Sequence, residues 1–189
     1  MQSPIFCVLN RQYVTPKMRD AAIALSQRIG EAFPGTTTLA LDANFPFIDG
    51  FPLFPHLSHS DGRKLDVAFF YQDADGRFQD QATRSPIGYF AFEEPLPGSE
   101  LPCRDRGDLL TLRWDLGFLQ SLWPALPLEQ ARTREALRWL SDEGRAFGVE
   151  KIFVEPHLVQ RLGVAAESIR FQGCRAARHD DHIHMQVGK

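Results

Sequence analysis

No uninterrupted apolar run in the chain exceeds five residues, the length of Ile5–Leu9 and Val67–Tyr71. A membrane-crossing helix needs about 20 apolar residues in succession, so this chain has to build from short elements that bury one face each. Its 189 residues suit one domain with a sizeable core. The elements follow from the period of the apolar positions. Ile5–Leu9 reads as a short buried strand. Thr15 and Pro16 make an N-cap followed by a proline at the first helical position. Met18, Ala22, Leu25, Ile29 and Phe33 then recur at helical spacing until Pro34-Gly35 ends the helix. Thr36–Ala43 and Leu65–Tyr71 read as strands, and Asp73-Ala74-Asp75-Gly76 as a hairpin turn. Leu128–Phe147 is the best helix, with Leu137, Leu140 and Phe147 on one face and Gly148 just past its end. Lys151–Val154 is a strand, Pro156–Leu162 a short helix and Ile183–Val187 a final strand. Two stretches, Asn44–Gly62 and Glu93–Asp108, are irregular, and loops of that length are usually functional or mobile. With no internal repeat and no domain boundary, the expectation is an α+β fold. It would be a small, mainly antiparallel sheet flanked by helices in a single domain over residues 1–189.

Charge and cysteine usage narrow the function. Lys and Arg total 21 against 24 for Asp and Glu, a net charge of −3. A protein that lives on phosphate contacts carries a basic excess or stripe, whereas the arginines here are scattered. Nucleic acid is not an expected partner. Cys7, Cys103 and Cys174 show no C-x-x-C spacing, and an odd number leaves room for one disulfide at most. The opening Met-Gln-Ser-Pro and its five-residue apolar run lack the charged start and longer core of a signal peptide.

Four of the six histidines lie in two tight clusters. The first, Ser58-His59-Ser60-Asp61-Gly62-Arg63-Lys64-Leu65-Asp66, places a histidine before a strand and an aspartate on it. The second, His179-Asp180-Asp181-His182-Ile183-His184, packs three histidines and two aspartates into six residues. Zinc favours imidazole nitrogen and carboxylate oxygen, and a catalytic site takes three such ligands and leaves a fourth position open. On a strand, residues two apart share a face, so His182 and His184 project together while Ile183 enters the core. His184 could then bind a metal with His182 beside it, and His59 and Asp66 would complete the set, Gly62 permitting the turn between them. Taken singly, each residue has a plainer reading: His59 as a loop residue, Asp66 as a strand-end cap, the terminal H-x-H as a solvated face. His157, after Pro156, reads as a capping or surface residue, and His56 as loop or spare ligand. Asp73-x-Asp75-Gly76 is explained by the hairpin rather than by calcium, since the loop lacks the Glu that a calcium loop carries at its twelfth position. Asp142, Glu143 and the arginines of the long helix read as solvated charge.

The pairing of H-x-x-G-x-x-x-D (His59 to Asp66) with a late D-H-x-H (Asp181 to His184) resembles the zinc peptidases that group lysostaphin-type enzymes with D-alanyl-D-alanine carboxypeptidases and dipeptidases. The closest likeness is to the penicillin-insensitive murein endopeptidases, whose late motif has the form H-D-D-H-x-H. Ile152-Phe153-Val154-Glu155-Pro156 is also similar to theirs. The resemblance implies Zn2+ held by His59, Asp66 and His184, His182 as the catalytic histidine, and His179 and Asp181 close around the site. It implies hydrolysis of amide bonds in peptidoglycan peptides, a periplasmic or cell-envelope setting, and a small antiparallel sheet flanked by helices. Lys64 departs from the family pattern, which has a small residue there. The alternative is a non-catalytic zinc-binding module with a peptidase-like fold, distinguished by closed coordination with a fourth protein ligand such as His179 or His56.

Overall fold

The alternation along the last strand sets the architecture. In the computed structural model, which describes residues 1–46, 49–51, 53, 57–105, 112–114 and 116–189, His182–Val187 forms that strand. Ile183, Met185 and Val187 are fully buried in the main apolar cluster, so His182, His184 and Gln186 occupy the opposite face. Among the described residues a four-stranded sheet has the order β1-β6-β4-β5, with β1 Lys64–Ala68, β4 Val149–Phe153, β5 Ile169–Arg170 and β6 His182–Val187. β1 and β4 run antiparallel to β6, and β5 runs parallel to β4. A separate hairpin of β2 (Tyr71–Gln72) and β3 (Phe78–Gln79) turns through the expected Asp73–Gly76 segment, where Asp73 Oδ1 accepts from the Asp75 and Arg77 amides. The fold class is the expected α+β, with a mainly antiparallel sheet.

One face of the sheet packs on two helices, α2 (Pro16–Ala32) and α4 (Gln130–Ser141). Met18, Leu25 and Ile29 meet Leu137, Leu140, Leu65, Val67, Ile152 and Ile183 in a single cluster. Burying each such side chain contributes about 1.5–3 kcal/mol. The start of α2 is as expected: Pro16 occupies the first turn, and Thr15 Oγ1 accepts from the Met18 amide at 3.3 Å. The Thr15 amide in turn donates to the Gly62 carbonyl at 2.8 Å, so the cap also anchors the loop that leads into β1. Gly62 has φ +68°, and a Cβ there would lie 3.2 Å from the Thr15 nitrogen. Thr15→Ala is expected to cost about 1 kcal/mol in a denaturant titration; an unchanged midpoint would show that the cap is idle.

Several expectations are corrected. Ile5–Leu9 is not a strand: α1, Pro4–Val8, is a one-turn helix with Pro4 in its first turn, Phe6 buried and Val8 83% exposed. A five-residue apolar run carries no decisive period, and the proline favours a helix start. Thr36–Ala43 runs extended along the free side of β1 without becoming a regular strand. Leu41 N donates to Asp66 O, Asp66 N to Asp42 O and Ala68 N to Leu39 O, with a single bridge, Ala40 to Val67. The strand expected over Leu65–Tyr71 breaks into β1 and β2. The long helix ends at Ser141, and Glu143–Phe147 continues as a 3-10 turn that leaves Phe147 40% exposed rather than on the buried face. The short helix Gly117–Gln120 (α3) and β5 were not foreseen. The helix expected over Pro156–Leu162 (α5) is present with those bounds.

Cys103 and Cys174 form a disulfide across 71 residues, and Cys7 is an exposed thiol. No helix among the described residues is long and apolar enough to cross a membrane.

Candidate metal centre

The face of the sheet away from the helices carries the polar cluster. Asp66 stands directly opposite His184 in the β1–β6 ladder, Ala68 opposite His182, and Phe153 flanks His184 from β4. His59 enters from the loop before β1, its ring centroid 4.9 Å from that of His184 although the two are 125 residues apart in the chain. His59 Nε2 lies 3.1 Å from His184 Nδ1 and 3.4 Å from Asp66 Oδ1, and His184 Nδ1 lies 2.9 Å from the same Oδ1. All three residues are buried.

These groups can hold a metal ion. Zinc bonded at about 2.0–2.2 Å in a tetrahedron sets neighbouring ligand atoms about 3.3–3.6 Å apart. The His59–Asp66–His184 set comes within a few tenths of an ångström of that spacing, and two imidazole nitrogens with one carboxylate oxygen form a donor set zinc takes. A second group, His179, His182 and His184, also brings one ligand atom each within 4.8 Å. Its rings stand with centroids 5.1 Å apart (His179–His182) and 5.3 Å apart (His179–His184). The two groups share His184.

The surroundings orient these side chains. His182 Nδ1 is 2.5 Å from Asp181 Oδ1, and its Nε2 is 3.6 Å from Asp66 Oδ2. Burial pulls the His182 pKa down, but the Asp66 and Asp181 carboxylates outweigh it and push the imidazole up to about 9. Asp181 Oδ2 also accepts from the Phe90 amide at 2.6 Å, so one carboxylate ties His182 to the 85–90 loop. The His179 amide donates to Glu155 Oε1 at 3.3 Å, and Glu155 is gripped by both terminal nitrogens of Arg113 at 2.8 and 2.9 Å. Asp180 pairs with Arg178, yet burial raises its carboxyl to about 7. Arg11 and Asp42 form a two-pronged ion pair behind the site, with Asp42 Oδ2 3.7 Å from His59 Nδ1. His179 and His184 line a cleft of about 170 Å³ together with Leu57, Leu112, Ala176, Ala177 and the polar Ser58 and Gln172.

The structure brings His59, Asp66, His179, Asp181, His182 and His184 together at one place. His157 is not a surface residue: it is buried, with Nε2 3.1 Å from the Glu93 carbonyl, and burial lowers its pKa. His56 lies outside the described residues. Lys64 is turned to Asp61, with Nζ 2.9 Å from both carboxylate oxygens, so its ammonium is held by a partner outside the ligand set. Glu143 accepts from the Trp139 indole at 3.1 Å and is not merely solvated. Tyr89, Asp42 and Arg113 had no part in the sequence-based expectations, and Glu155 entered them only within the 152–156 segment. Asp42 carried a signal, an acidic residue between Leu41 and Ala43 at the apolar end (Leu39–Ala43) of a segment expected to be extended; Tyr89, one tyrosine in a loop, carried none.

Comparison of the sequence with family models and with curated proteins finds no match. Fold and site define the class: an α+β protein whose buried histidine and aspartate side chains can hold a metal ion.

Proposed function

We propose that this chain is a zinc metallopeptidase of the murein endopeptidase kind, hydrolysing amide bonds in peptidoglycan peptides at the cell envelope. One observation carries the reading: the two motif clusters, far apart in sequence, meet at one buried point that opens into a cleft. His59, Asp66 and His184 would hold the ion, and the cleft that His184 lines would admit the substrate. A zinc ion held there would supply Lewis acidity for the scissile carbonyl and for an attacking water. His182, fixed through Nδ1 by Asp181, holds or moves a proton at Nε2 beside the Asp66 carboxylate. His179, which also lines the cleft, would orient the peptide. The apolar walls exclude water from the peptide and strengthen these polar contacts.

The proximity of His179 to His184 favours a second reading, a zinc-binding module in which His179 closes the coordination as a fourth ligand and no peptide is cut. Incubation with purified muropeptides separates the two. The peptidase reading expects cleavage of cross-linked peptides that a chelator abolishes and added zinc restores. A zinc-loaded chain that leaves every muropeptide intact contradicts it and leaves the module.

A further inference from the structure

Asp66 divides its carboxylate between two sets of neighbours. Oδ1 faces His184 Nδ1 at 2.9 Å and His59 Nε2 at 3.4 Å, whereas Oδ2 accepts a hydrogen bond from the Tyr89 hydroxyl at 2.6 Å. We infer that Tyr89 is a positioning residue of the metal centre: by occupying Oδ2 it holds Asp66 as a one-oxygen ligand through Oδ1. The inference rests on the metal reading of the site. A carboxylate can offer a cation one oxygen or both. Engaging both would add a protein ligand on the side that a catalytic site keeps for substrate. A short O–H···O⁻ bond is among the stronger hydrogen bonds of a folded protein, so losing it to free Oδ2 is costly.

The hydroxyl is placed by features that owe nothing to Asp66. The Tyr89 ring belongs to a separate apolar cluster with Phe6, Leu39, Leu41 and Ala68. It stands edge-on to Phe6 at 5.6 Å and to His182 at 4.8 Å. Ser85 Oγ donates to the Tyr89 carbonyl at 2.5 Å, and the next amide, Phe90, is held by Asp181. Gly88 turns the chain at φ +80°, where a Cβ would come within 2.8 Å of Leu41. The donor is therefore in place before any ion arrives, and the Asp181 carboxylate that steadies its loop also steadies His182. Partners of metal ligands fixed in this way typically change affinity by about 10–100-fold when removed.

The test is Tyr89→Phe, which keeps the ring and removes the donor. Zinc affinity, measured by competition with a chromophoric chelator, is expected to fall about 10–100-fold. The cobalt-substituted variant should show a weaker visible band than the wild type, since higher coordination follows when Asp66 engages both oxygens; a loss of packing alone would not move that band. Unchanged affinity and an unchanged cobalt spectrum would overturn the role of Tyr89 while leaving the metal site intact. A wild-type chain that takes up neither zinc nor cobalt would instead overturn the metal reading, and the inference with it. Should Tyr89→Phe not fold, the wild type still decides. Its cobalt form must then show the intense visible band of a four-coordinate ion, and the weak band of higher coordination contradicts a one-oxygen Asp66.

Discussion

His182→Ala is expected to keep its zinc and lose turnover of muropeptides by roughly 10²–10⁴-fold, the range for removing a positioned proton-transfer group. The prediction follows from which atoms converge. His59 Nε2, His184 Nδ1 and Asp66 Oδ1 stand 2.9–3.4 Å from one another, whereas His182 turns Nδ1 to Asp181 and Nε2 to the other oxygen of Asp66. Removing the imidazole leaves the three ligand atoms where they are. Were the metal held by His179, His182 and His184 instead, the same substitution would remove a ligand and the metal with it. Zinc content and kcat measured on one preparation separate the cases: full zinc with slow turnover supports the His59–Asp66–His184 set, and lost zinc supports the three-histidine set.

Opening the disulfide has the largest expected effect on stability. Cys103 and Cys174 are 71 residues apart, and closing a loop of that size removes unfolded-chain entropy worth about 4 kcal/mol at 25 °C. Cys174→Ser, compared with the wild type in a denaturant titration, should lose about 2–4 kcal/mol, with the difference vanishing once both are fully reduced. The bond also fastens the loop before it to the 171–178 segment, whose Ala176 and Ala177 wall the cleft beside His179 and His184. Substrate binding should therefore weaken along with stability. A stability loss below about 1 kcal/mol, or one that persists under reduction, would show that the cross-link adds little.

What the sequence disclosed depended on how local each signal was. The helix Pro16–Ala32 could be read because its cap, its proline and its apolar stripe all lie within the element. Likewise the His182–Ile183–His184 alternation needed only the pleat of a strand to put both imidazoles on one face. The pairing of His59 and Asp66 with that strand came from the donor types of the two clusters and from the resemblance of two motifs, and the ladder that sets Asp66 opposite His184 is a long-range contact no local pattern contains. Ile5–Leu9 misled because a short apolar run fits helix and strand alike. Phe147 misled because the helical period was extended through Asp142, where the α-helix ends. Tyr89 and Arg113 were illegible for a different reason. Each acts only by meeting a carboxylate brought in from another element, Asp66 from β1 and Glu155 from the start of α5.

His59 and Asp66 should close with the His179–His184 cluster on one ion. Elemental analysis of tag-free protein, wild type beside His184→Ala, tests it most directly, because His184 belongs to both candidate ligand groups. About one zinc per wild-type chain and close to none in the variant are expected. Equal zinc in the two proteins, or none in either after zinc has been added back, would contradict that closure.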